Sequence, residues 1–280
     1  MNPDTRRETR VMTRSPFMSV SDLTLHHVSA GPNTPGATGI PLVFLHSLGC
    51  DLHLWELVAA SFVSRHRVVR YDLRGHGLSD CGPPECTVDD HVRDLVGLLD
   101  RLGLPSVTLV GISLGGLVAL ATALRFPSRV KRIVLCATAA RIWTREGWSE
   151  RINAVRANGL EAMADSILAR WVKPDFATRE PALMRGLRNR LTRTPVAGYL
   201  ANCAALRDAN LRAAAEGLRI PALVLGGEHD VVVPPPAGRE LAERLPDAHW
   251  TQISGAAHLP PVEQPVAVAT AISRFLAERM

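Results

Sequence analysis

The 280-residue sequence predicts a mostly parallel, doubly wound α/β sheet with an inserted helical cap. Two observations support this fold class. Short apolar runs bounded by Gly or Asp recur along the chain, as is typical of buried parallel strands. Helical patterns separate most of these runs, and this alternation indicates strand–helix–strand units. One long segment interrupts the alternation, and we predict that it forms the cap.

Seven segments carry a strand pattern. The first alternates apolar and polar residues, the next five are short apolar runs, and the last is a weaker candidate. In chain order they are Leu23–Val28, Pro41–Leu45, Arg67–Tyr71, Val107–Val110, Arg132–Leu135, Ala222–Leu225 and Trp250–Ile253.

Three helical patterns lie outside the inserted segment. Thr87–Leu102 begins with Thr87 as the N-cap and has two aspartates in its first turn, where carboxylates complement the helix dipole. Leu114–Arg125 is small and apolar, as expected of a helix buried against a sheet. Val262–Met280 is amphipathic and predicts the final helix.

The segment 143–218 predicts a separate helical unit. It contains helix-like runs rich in Ala, Leu and Arg, broken at Pro174, Pro181 and Pro195, and no convincing strand. A connection of this length without structure of its own is uncommon in a compact domain. We therefore expect residues 143–218 to form a cap on an α/β core made of residues 21–142 and 219–280.

Residues 1–20 are rich in charge and have no apolar h-region. A secretory signal needs such a region, so none is predicted here. An Arg-rich stretch can resemble an organellar transit peptide, but Asp4 and Glu8 argue against that interpretation. We expect this segment to be a short disordered arm.

Composition limits the class of protein and its partners. With 46% apolar and 21% charged residues, the chain is expected to be globular, and no apolar run approaches the roughly 20 residues of a membrane span. Its five cysteines are scattered without C-x-x-C spacing, which favours reduced thiols in the cytoplasm. Although the net charge is +5, basic and acidic residues are interspersed, so we predict no nucleic-acid partner and leave the oligomeric state open. A modest positive field suits an anionic small substrate.

The motif G-I-S-L-G-G at residues 111–116 carries the clearest chemical signal. It follows the apolar strand V-T-L-V and opens a helix, which is the structural context that a G-x-S-x-G nucleophile motif requires. The glycines are needed for steric reasons, because the serine of such a turn has a strained backbone and its neighbours have no room for a Cβ atom. We predict that Ser113 is a nucleophile; the alternative is a Gly-rich turn with an incidental serine.

A serine nucleophile needs a base and an acid that orients the base. Asp230 follows the strand A-L-V-L, and His258 follows the next strand, so both lie in loops at the carboxyl edge where ligands bind in open α/β sheets. We predict that His258 takes the proton of Ser113 while Asp230 fixes the histidine tautomer. Glu228 is the rival acid but is nearer the strand, and a plain turn residue is the alternative interpretation of Asp230.

The tetrahedral intermediate of such a reaction needs two backbone donors for its oxyanion. The amide of Leu114 directly follows the nucleophile at a helix N-terminus. The loop after the strand P-L-V-F-L contains the second candidate, the amide of Leu48.

From about residue 22 to its end, the sequence resembles the α/β-hydrolase superfamily and, within it, the 3-oxoadipate enol-lactonases. RGHG and GEHD are common in the superfamily, whereas the SLGxDLHxW, TAAR and CAALRDAxL segments are more specific. The runs that carry the resemblance are HSLGCDLHLW (46–55), RYDLRGHGLSD (70–80), GISLGG (111–116), CATAAR (136–141), NCAALRDANL (202–211), GEHD (227–230) and AAHLPPVEQP (256–265). The sequence departs from the family pattern at His46, where Asn is expected, and at Pro260-Pro261.

The resemblance implies an α/β-hydrolase fold and hydrolysis of an enol-lactone that carries a carboxylate. The activity belongs to the β-ketoadipate pathway of aromatic catabolism and needs neither a metal nor an organic cofactor. The substrate would be a small anionic lactone, and an arginine is suited to hold its carboxylate.

Four residues are candidates for binding this substrate. Arg141, at the entrance to the cap, and Arg207, from the specific cap segment, are candidates to bind the carboxylate. Trp143 and Trp171 are candidates for the pocket wall. The alternative for each arginine is a solvated or salt-bridged surface position, and the alternative for each tryptophan is ordinary core packing.

Other functions of the same fold stay open. A carboxylesterase, a perhydrolase-like enzyme or a C–C bond hydrolase would use the same three residues on another small carbonyl substrate. Dehalogenase and epoxide hydrolase chemistry is disfavoured, because those reactions use a carboxylate nucleophile and position 113 is a serine. A non-catalytic ligand-binding member is expected to lack a residue of the triad, and here all three are present.

Overall fold

A computed structural model describes residues 15–32 and 39–278. Its centre is an eight-stranded sheet with the strand order β1-β2-β4-β3-β5-β6-β7-β8. The strands are β1 (Phe17–Val20), β2 (Leu23–Ala30), β3 (Gly39–Leu45), β4 (His66–Tyr71), β5 (Val107–Ile112), β6 (Val130–Cys136), β7 (Ala222–Gly227) and β8 (Ala248–Ile253).

The sheet is mostly parallel. Only β1 with β2 and β2 with β4 pair antiparallel, while every pair from β4 to β8 across the sheet is parallel. The chain reverses its direction of winding at β3, which lies between β4 and β5. The predicted mostly parallel, doubly wound sheet is thereby confirmed, with all seven predicted strands in place.

The first strand corrects the predicted end of the N-terminal arm. Residues 1–14 lie outside the described part of the chain, but Phe17–Val20 form β1 rather than disordered chain. This strand is stabilised by the buried side chain of Val20 and by contact between the rings of Phe17 and His26, whose centroids are 5.1 Å apart. The strand is only four residues long, and the charged residues before it obscure its pattern.

Helices cover the sheet. Those of the core are α1 (Glu56–Ala60), α2 (Val88–Leu102), α3 (Leu114–Arg125), α9 (Pro235–Arg244), α10 (Pro260–Glu263) and α11 (Pro265–Ala277). Helix α2 begins with the predicted cap: the Thr87 side chain accepts from the Asp90 amide, and the Asp90 carboxylate accepts from the Thr87 amide. Helix α3 is buried along almost its whole length, as its apolar sequence predicts.

The last predicted helix is divided. Instead of one helix from Val262, the structure has α10 and then α11, separated by Gln264 at φ −138° and ψ 55°. The cause is Pro265, because a proline disfavours helical backbone in the residue before it.

The segment between β6 and β7 contains five helices and no strand. They are α4 (Arg145–Leu168), α5 (Phe176–Arg179), α6 (Pro181–Arg193), α7 (Val196–Asp208) and α8 (Arg212–Ala215). Gly159, at φ +75°, bends α4 in its middle. We refer to residues 143–218 as the cap; they lie in chain order between two adjacent parallel strands, at the edge of the sheet where those strands end.

Within the described residues, no helix is both long and apolar enough to cross a membrane.

Candidate active site

Ser113 lies on a sharp turn between β5 and α3. Its backbone has φ 53° and ψ −116°, a conformation that costs a non-glycine residue about 1–3 kcal/mol. The turn is held on both sides, because the Ser113 amide donates to Cys136 O (2.9 Å) and the Thr138 hydroxyl donates to Ser113 O (2.8 Å). The strain is therefore maintained by β6 and the loop after it.

The glycines around Ser113 are required for packing. A Cβ atom on Gly111 would lie 2.2 Å from Gly115 O, and one on Gly115 would lie 2.4 Å from Leu45 O. Both contacts are with backbone, which cannot move aside. Only glycine therefore fits at positions 111 and 115, as the motif predicts.

Asp230 and His258 meet directly. His258 Nδ1 lies 2.9 Å from Asp230 Oδ2, and both side chains are buried. The other carboxylate oxygen, Oδ1, accepts from the amides of Val232 (2.7 Å) and Val233 (2.9 Å), which fixes the carboxylate in its loop. Because a carboxylate only accepts hydrogen bonds, Nδ1 carries the proton and Nε2 is left as the basic nitrogen.

Glu228, the rival acid, has a different partner. Its carboxylate is exposed and accepts from the Gly255 amide at 2.9 Å. It therefore holds the start of the loop that contains His258, and Asp230 holds the imidazole itself.

Ser113 and His258 line the same cavity. Within the described chain, no hydrogen bond joins the Ser113 hydroxyl to the His258 ring. Hydrogen bonds between a nucleophile and its base often become short only with substrate bound.

Two backbone amides near the cavity are available for the predicted oxyanion hole. Leu48 lines the cavity, and Leu114 is the first residue of α3, where the helix leaves its N–H without an intrahelical acceptor. Neither amide donates a hydrogen bond to any residue that the structure describes. Gly115, by contrast, donates to His46 O at 3.1 Å and so ties α3 to the Leu48 loop.

Two buried histidines fix the Leu48 loop. His46 Nε2 accepts from the Leu73 amide and its Nδ1–H donates to Ser47 O, at 2.9 and 2.8 Å. His76 Nε2 accepts from the Gly49 amide at 2.9 Å. Burial lowers the pKa of both rings, so both are neutral and their tautomers are set by these bonds. The hydrogen bonds of these two histidines thus hold the loop in place.

The cap supplies the opposite wall of the cavity. Trp143 and Trp171, the two predicted wall residues, both line it, together with Trp148 and Tyr199. Trp143 and Trp148 contact each other edge to face, with ring centroids 5.4 Å apart. The wall is therefore largely aromatic.

The structure does not bring the two predicted arginines into this cavity. Arg141 lines a separate cleft between Arg212 and Glu240, because the chain after β6 turns it toward α8 and α9. Arg207 pairs with Asp208, its neighbour in sequence, at 2.6 Å. Both expectations are corrected: these two arginines take the alternative, surface or ion-paired role.

Two other arginines line the cavity and were missed. Arg151, on α4, donates to the Tyr199 hydroxyl at 3.4 Å, and the Arg170 guanidinium lies 5.3 Å from the centre of the Trp143 ring. Neither has a carboxylate partner among the residues the structure describes. Arg151 lies three residues after Trp148, on the same helix face, and Arg170 directly precedes Trp171. That spacing is the only sequence signal for them.

Within the described ranges, no group of three or more His, Cys, Asp or Glu side chains is arranged to hold a metal ion.

A model of the alpha/beta hydrolase fold family matches residues 40–265 of the chain. Among curated relatives, 3-oxoadipate enol-lactonase 2 of Acinetobacter baylyi is 33% identical over 260 residues. This alignment covers 92% of this chain and 95% of that protein.

Solved structures of enzymes with this fold are also similar to this chain. The enol-lactonase from Burkholderia xenovorans has a TM-score of 0.89 and 36% identity, covering 94% of this chain and 100% of that chain. A thermophilic esterase from Thermogutta terrifontis, solved with malate bound, has a TM-score of 0.84 and 28% identity, covering 93% of this chain and 96% of that chain. Both similarities span the core and the cap.

Proposed function

The chain belongs to the α/β-hydrolase family and is a hydrolase that acts on carboxylic esters, and on this premise we propose that it opens 3-oxoadipate enol-lactone to 3-oxoadipate. The roles we assign are nucleophile for Ser113, base for His258, and orienting acid for Asp230. The amides of Leu48 and Leu114 form the oxyanion hole.

One observation carries the choice of an anionic lactone. The cavity that contains Ser113 and His258 also contains Arg151 and Arg170, two arginines with no carboxylate partner in the described chain. Cationic side chains beside an aromatic wall, left without a counter-ion, favour a ligand that brings a negative charge. The enol-lactone carries one carboxylate, at the end of its side chain.

The first half of the reaction forms the acyl-enzyme. Ser113 Oγ attacks the lactone carbonyl carbon while His258 Nε2 accepts the hydroxyl proton. The carbonyl oxygen becomes an oxyanion, which the amides of Leu48 and Leu114 stabilise. The intermediate then collapses, the ring C–O bond breaks, and the leaving enol oxygen takes the proton from His258 while it stays tethered to the acyl group.

The leaving group makes this step easy. An enolate spreads its negative charge over carbon and oxygen, so it leaves more readily than an alkoxide. Protonation by His258 is accordingly less demanding than in hydrolysis of an ordinary alkyl ester.

The second half of the reaction releases the product. His258 accepts a proton from water, and the resulting hydroxide attacks the acyl carbon. The acyl–Oγ bond breaks, Ser113 regains its proton from His258, and the free enol tautomerises to 3-oxoadipate.

We further propose a role in aromatic catabolism through the β-ketoadipate pathway, in the cytoplasm. The support for this compartment is that the five cysteines are unpaired, four of them buried. Thiols of this kind fit a reducing compartment.

Three substrates assayed side by side test the proposal. They are freshly generated 3-oxoadipate enol-lactone, α-angelica lactone and p-nitrophenyl acetate. α-Angelica lactone has the same ring with a methyl group in place of the carboxymethyl group, so it isolates recognition of the carboxylate from the ease of ring opening. We expect kcat/KM for the anionic lactone to exceed that for the neutral lactone by at least about 10- to 100-fold, the contribution of one hydrogen bond to a charged group.

The outcomes separate the candidates. Equal turnover of both lactones would show that the enzyme does not recognise the carboxylate of the substrate. Turnover of p-nitrophenyl acetate without either lactone would favour a general carboxylesterase. Failure on all three substrates would favour a C–C bond hydrolase of the same fold.

A further inference from the structure

Glu263 is a buried carboxylate for which the proposed reaction has no use. It lies in α10, five residues after His258, and is 9% exposed. Its Oε2 accepts from the Ala257 amide at 2.7 Å, and its Oε1 accepts from the Lys173 amide at 2.8 Å. One carboxylate thus connects the loop of His258 to the cap.

A second bond joins the same two segments. The Leu259 amide donates to Trp171 O at 3.0 Å. The residues on both sides of His258 are therefore bonded, directly or through Glu263, to residues 171–173 of the cap. Trp171 lines the cavity, and Arg170 is next to it in sequence.

The loss of the Glu263 side chain would be costly. Burial raises the pKa of the carboxyl group, while the two backbone hydrogen bonds and the nearby Lys173 oppose that shift. Removal of the side chain would leave two N–H groups without their acceptor, that of Ala257 in a buried place and that of Lys173 in a half-buried one. An unsatisfied buried donor costs about 1–3 kcal/mol.

We propose that Glu263 is a positioning residue that sets the catalytic histidine and the substrate-binding side of the cap in one mutual arrangement. This inference rests on the proposed role of His258. The carboxylate fixes the distance between the His258 loop and the segment that holds Arg170 and Trp171. A substrate whose carboxylate is bound by the cap then presents its carbonyl to a base that is already aligned.

The chain offers a matched control. Glu228 also accepts a hydrogen bond from the His258 loop, at the Gly255 amide, but its carboxylate is exposed and makes no hydrogen bond to the cap. Glu228→Gln weakens the support of the same loop without touching the link to the cap.

The experiment compares Glu263→Ala, Glu263→Gln and Glu228→Gln in the full chain. Glu263→Gln retains one acceptor oxygen, so it keeps one of the two bonds. It is also the variant expected to fold if Glu263→Ala does not. We expect kcat for p-nitrophenyl acetate to fall about 10- to 100-fold in Glu263→Ala, less in Glu263→Gln, and under threefold in Glu228→Gln.

Amide hydrogen exchange gives a readout that does not depend on activity. In both Glu263 variants, exchange should accelerate in two peptides together, one spanning residues 256–259 and one spanning residues 171–173. In Glu228→Gln the second peptide should be unchanged. Faster exchange confined to the His258 loop, or an unchanged kcat in a folded Glu263→Ala protein, would overturn the proposal.

The test is separable from the proposed function. If the enol-lactone is not a substrate, the ester assay still measures the alignment of His258. If Ser113→Ala retains activity, the catalytic assignment fails, whereas the exchange experiment still shows whether Glu263 links the two segments.

Discussion

The core and the cap contribute to one cavity by different structural means. Ser113, Asp230 and His258 lie in turns at the carboxyl ends of strands, and backbone hydrogen bonds from neighbouring strands and loops hold those turns. Arg151, Arg170 and Trp143 project from helices or helix ends of the cap, and their positions depend on how the cap packs over the sheet. The comparison shows that turns at the strand ends hold the reacting side chains, while the side chains that line the opposite wall depend on how the cap packs. The bonds of Glu263 and Leu259 to residues 171–173 join the two regions.

The largest expected effect tests the core. Ser113→Ala should lower kcat by about 10⁴- to 10⁶-fold, because it removes the nucleophile and leaves only binding and the oxyanion hole. Initial rates with the anionic lactone and with p-nitrophenyl acetate should fall alike. A loss of less than about tenfold on either substrate would mean that Ser113 is not the nucleophile for that substrate.

The next effect tests the cap. Arg151→Gln and Arg170→Gln should each raise KM for the anionic lactone by about 10- to 100-fold, since a hydrogen bond to a charged group contributes about 1.5–3 kcal/mol. Steady-state kinetics should show a change of less than about threefold in kcat/KM for p-nitrophenyl acetate. Arg141→Gln and Arg207→Gln are the controls and should leave both substrates unaffected. If the two substrates responded equally, the arginines would have a structural role and the division between core and cap would fail.

The same division explains what could be predicted from the sequence. The G-x-S-x-G motif predicts the geometry of the turn at Ser113, because only glycine fits at positions 111 and 115. The acid and the base follow two neighbouring parallel strands, so their meeting could be inferred from strand order alone.

The cap could be predicted as a unit but not in detail. Its length and its lack of strands can be read from the sequence. The face that each helix turns to the cavity depends on tertiary packing, which no local sequence pattern predicts. Arg141 adjoins the cap entrance in sequence yet points to another cleft, and Arg151 lies deeper in sequence yet reaches the cavity. The position of Glu263 between the core and the cap depends on a contact with residue 173, which is distant in sequence. Residue spacing therefore could not predict it.

A third prediction contrasts the acid sensitivity of the two regions. Residues 143–218 contain no histidine, whereas the core buries His27, His46, His76 and His91, and burial lowers the pKa of each, that of His91 to about 3. Below pH 6.5 these histidines bind protons in the unfolded chain but stay neutral in the folded core. The free energy of unfolding should therefore fall as pH decreases, by up to about 1.4 kcal/mol per pH unit for each histidine.

Denaturant unfolding at pH 7, 6 and 5 measures this dependence. His76→Gln, which keeps an acceptor and a donor, should reduce the slope between pH 6 and 5 by up to about 1.4 kcal/mol per unit. His249→Gln, at an exposed position, is the control. An unchanged slope in His76→Gln would show that His76 does not titrate differently in the folded and unfolded chain.

The smallest effect concerns Trp143, where the core passes into the cap. Its φ of +61° is unfavourable for a large side chain, and its ring is 40% exposed, yet it packs against Arg170 and Trp148. Trp143→Ala should raise KM for the anionic lactone about two- to fivefold, because a cation–π contact at an exposed site contributes about 0.5–1 kcal/mol. Trp143→Gly should be more stable to denaturant than Trp143→Ala, since glycine adopts this φ without strain.

A double-mutant cycle decides whether Trp143 acts through the arginine. If the ring positions the guanidinium, Trp143→Ala should have almost no further effect on KM once Arg170 is glutamine, which gives a coupling energy of about 0.5–1 kcal/mol. Fully additive effects would assign Trp143 to the apolar wall alone. Coupling would instead mean that Trp143, a strained residue at the start of the cap, positions the arginine that binds the carboxylate of the substrate.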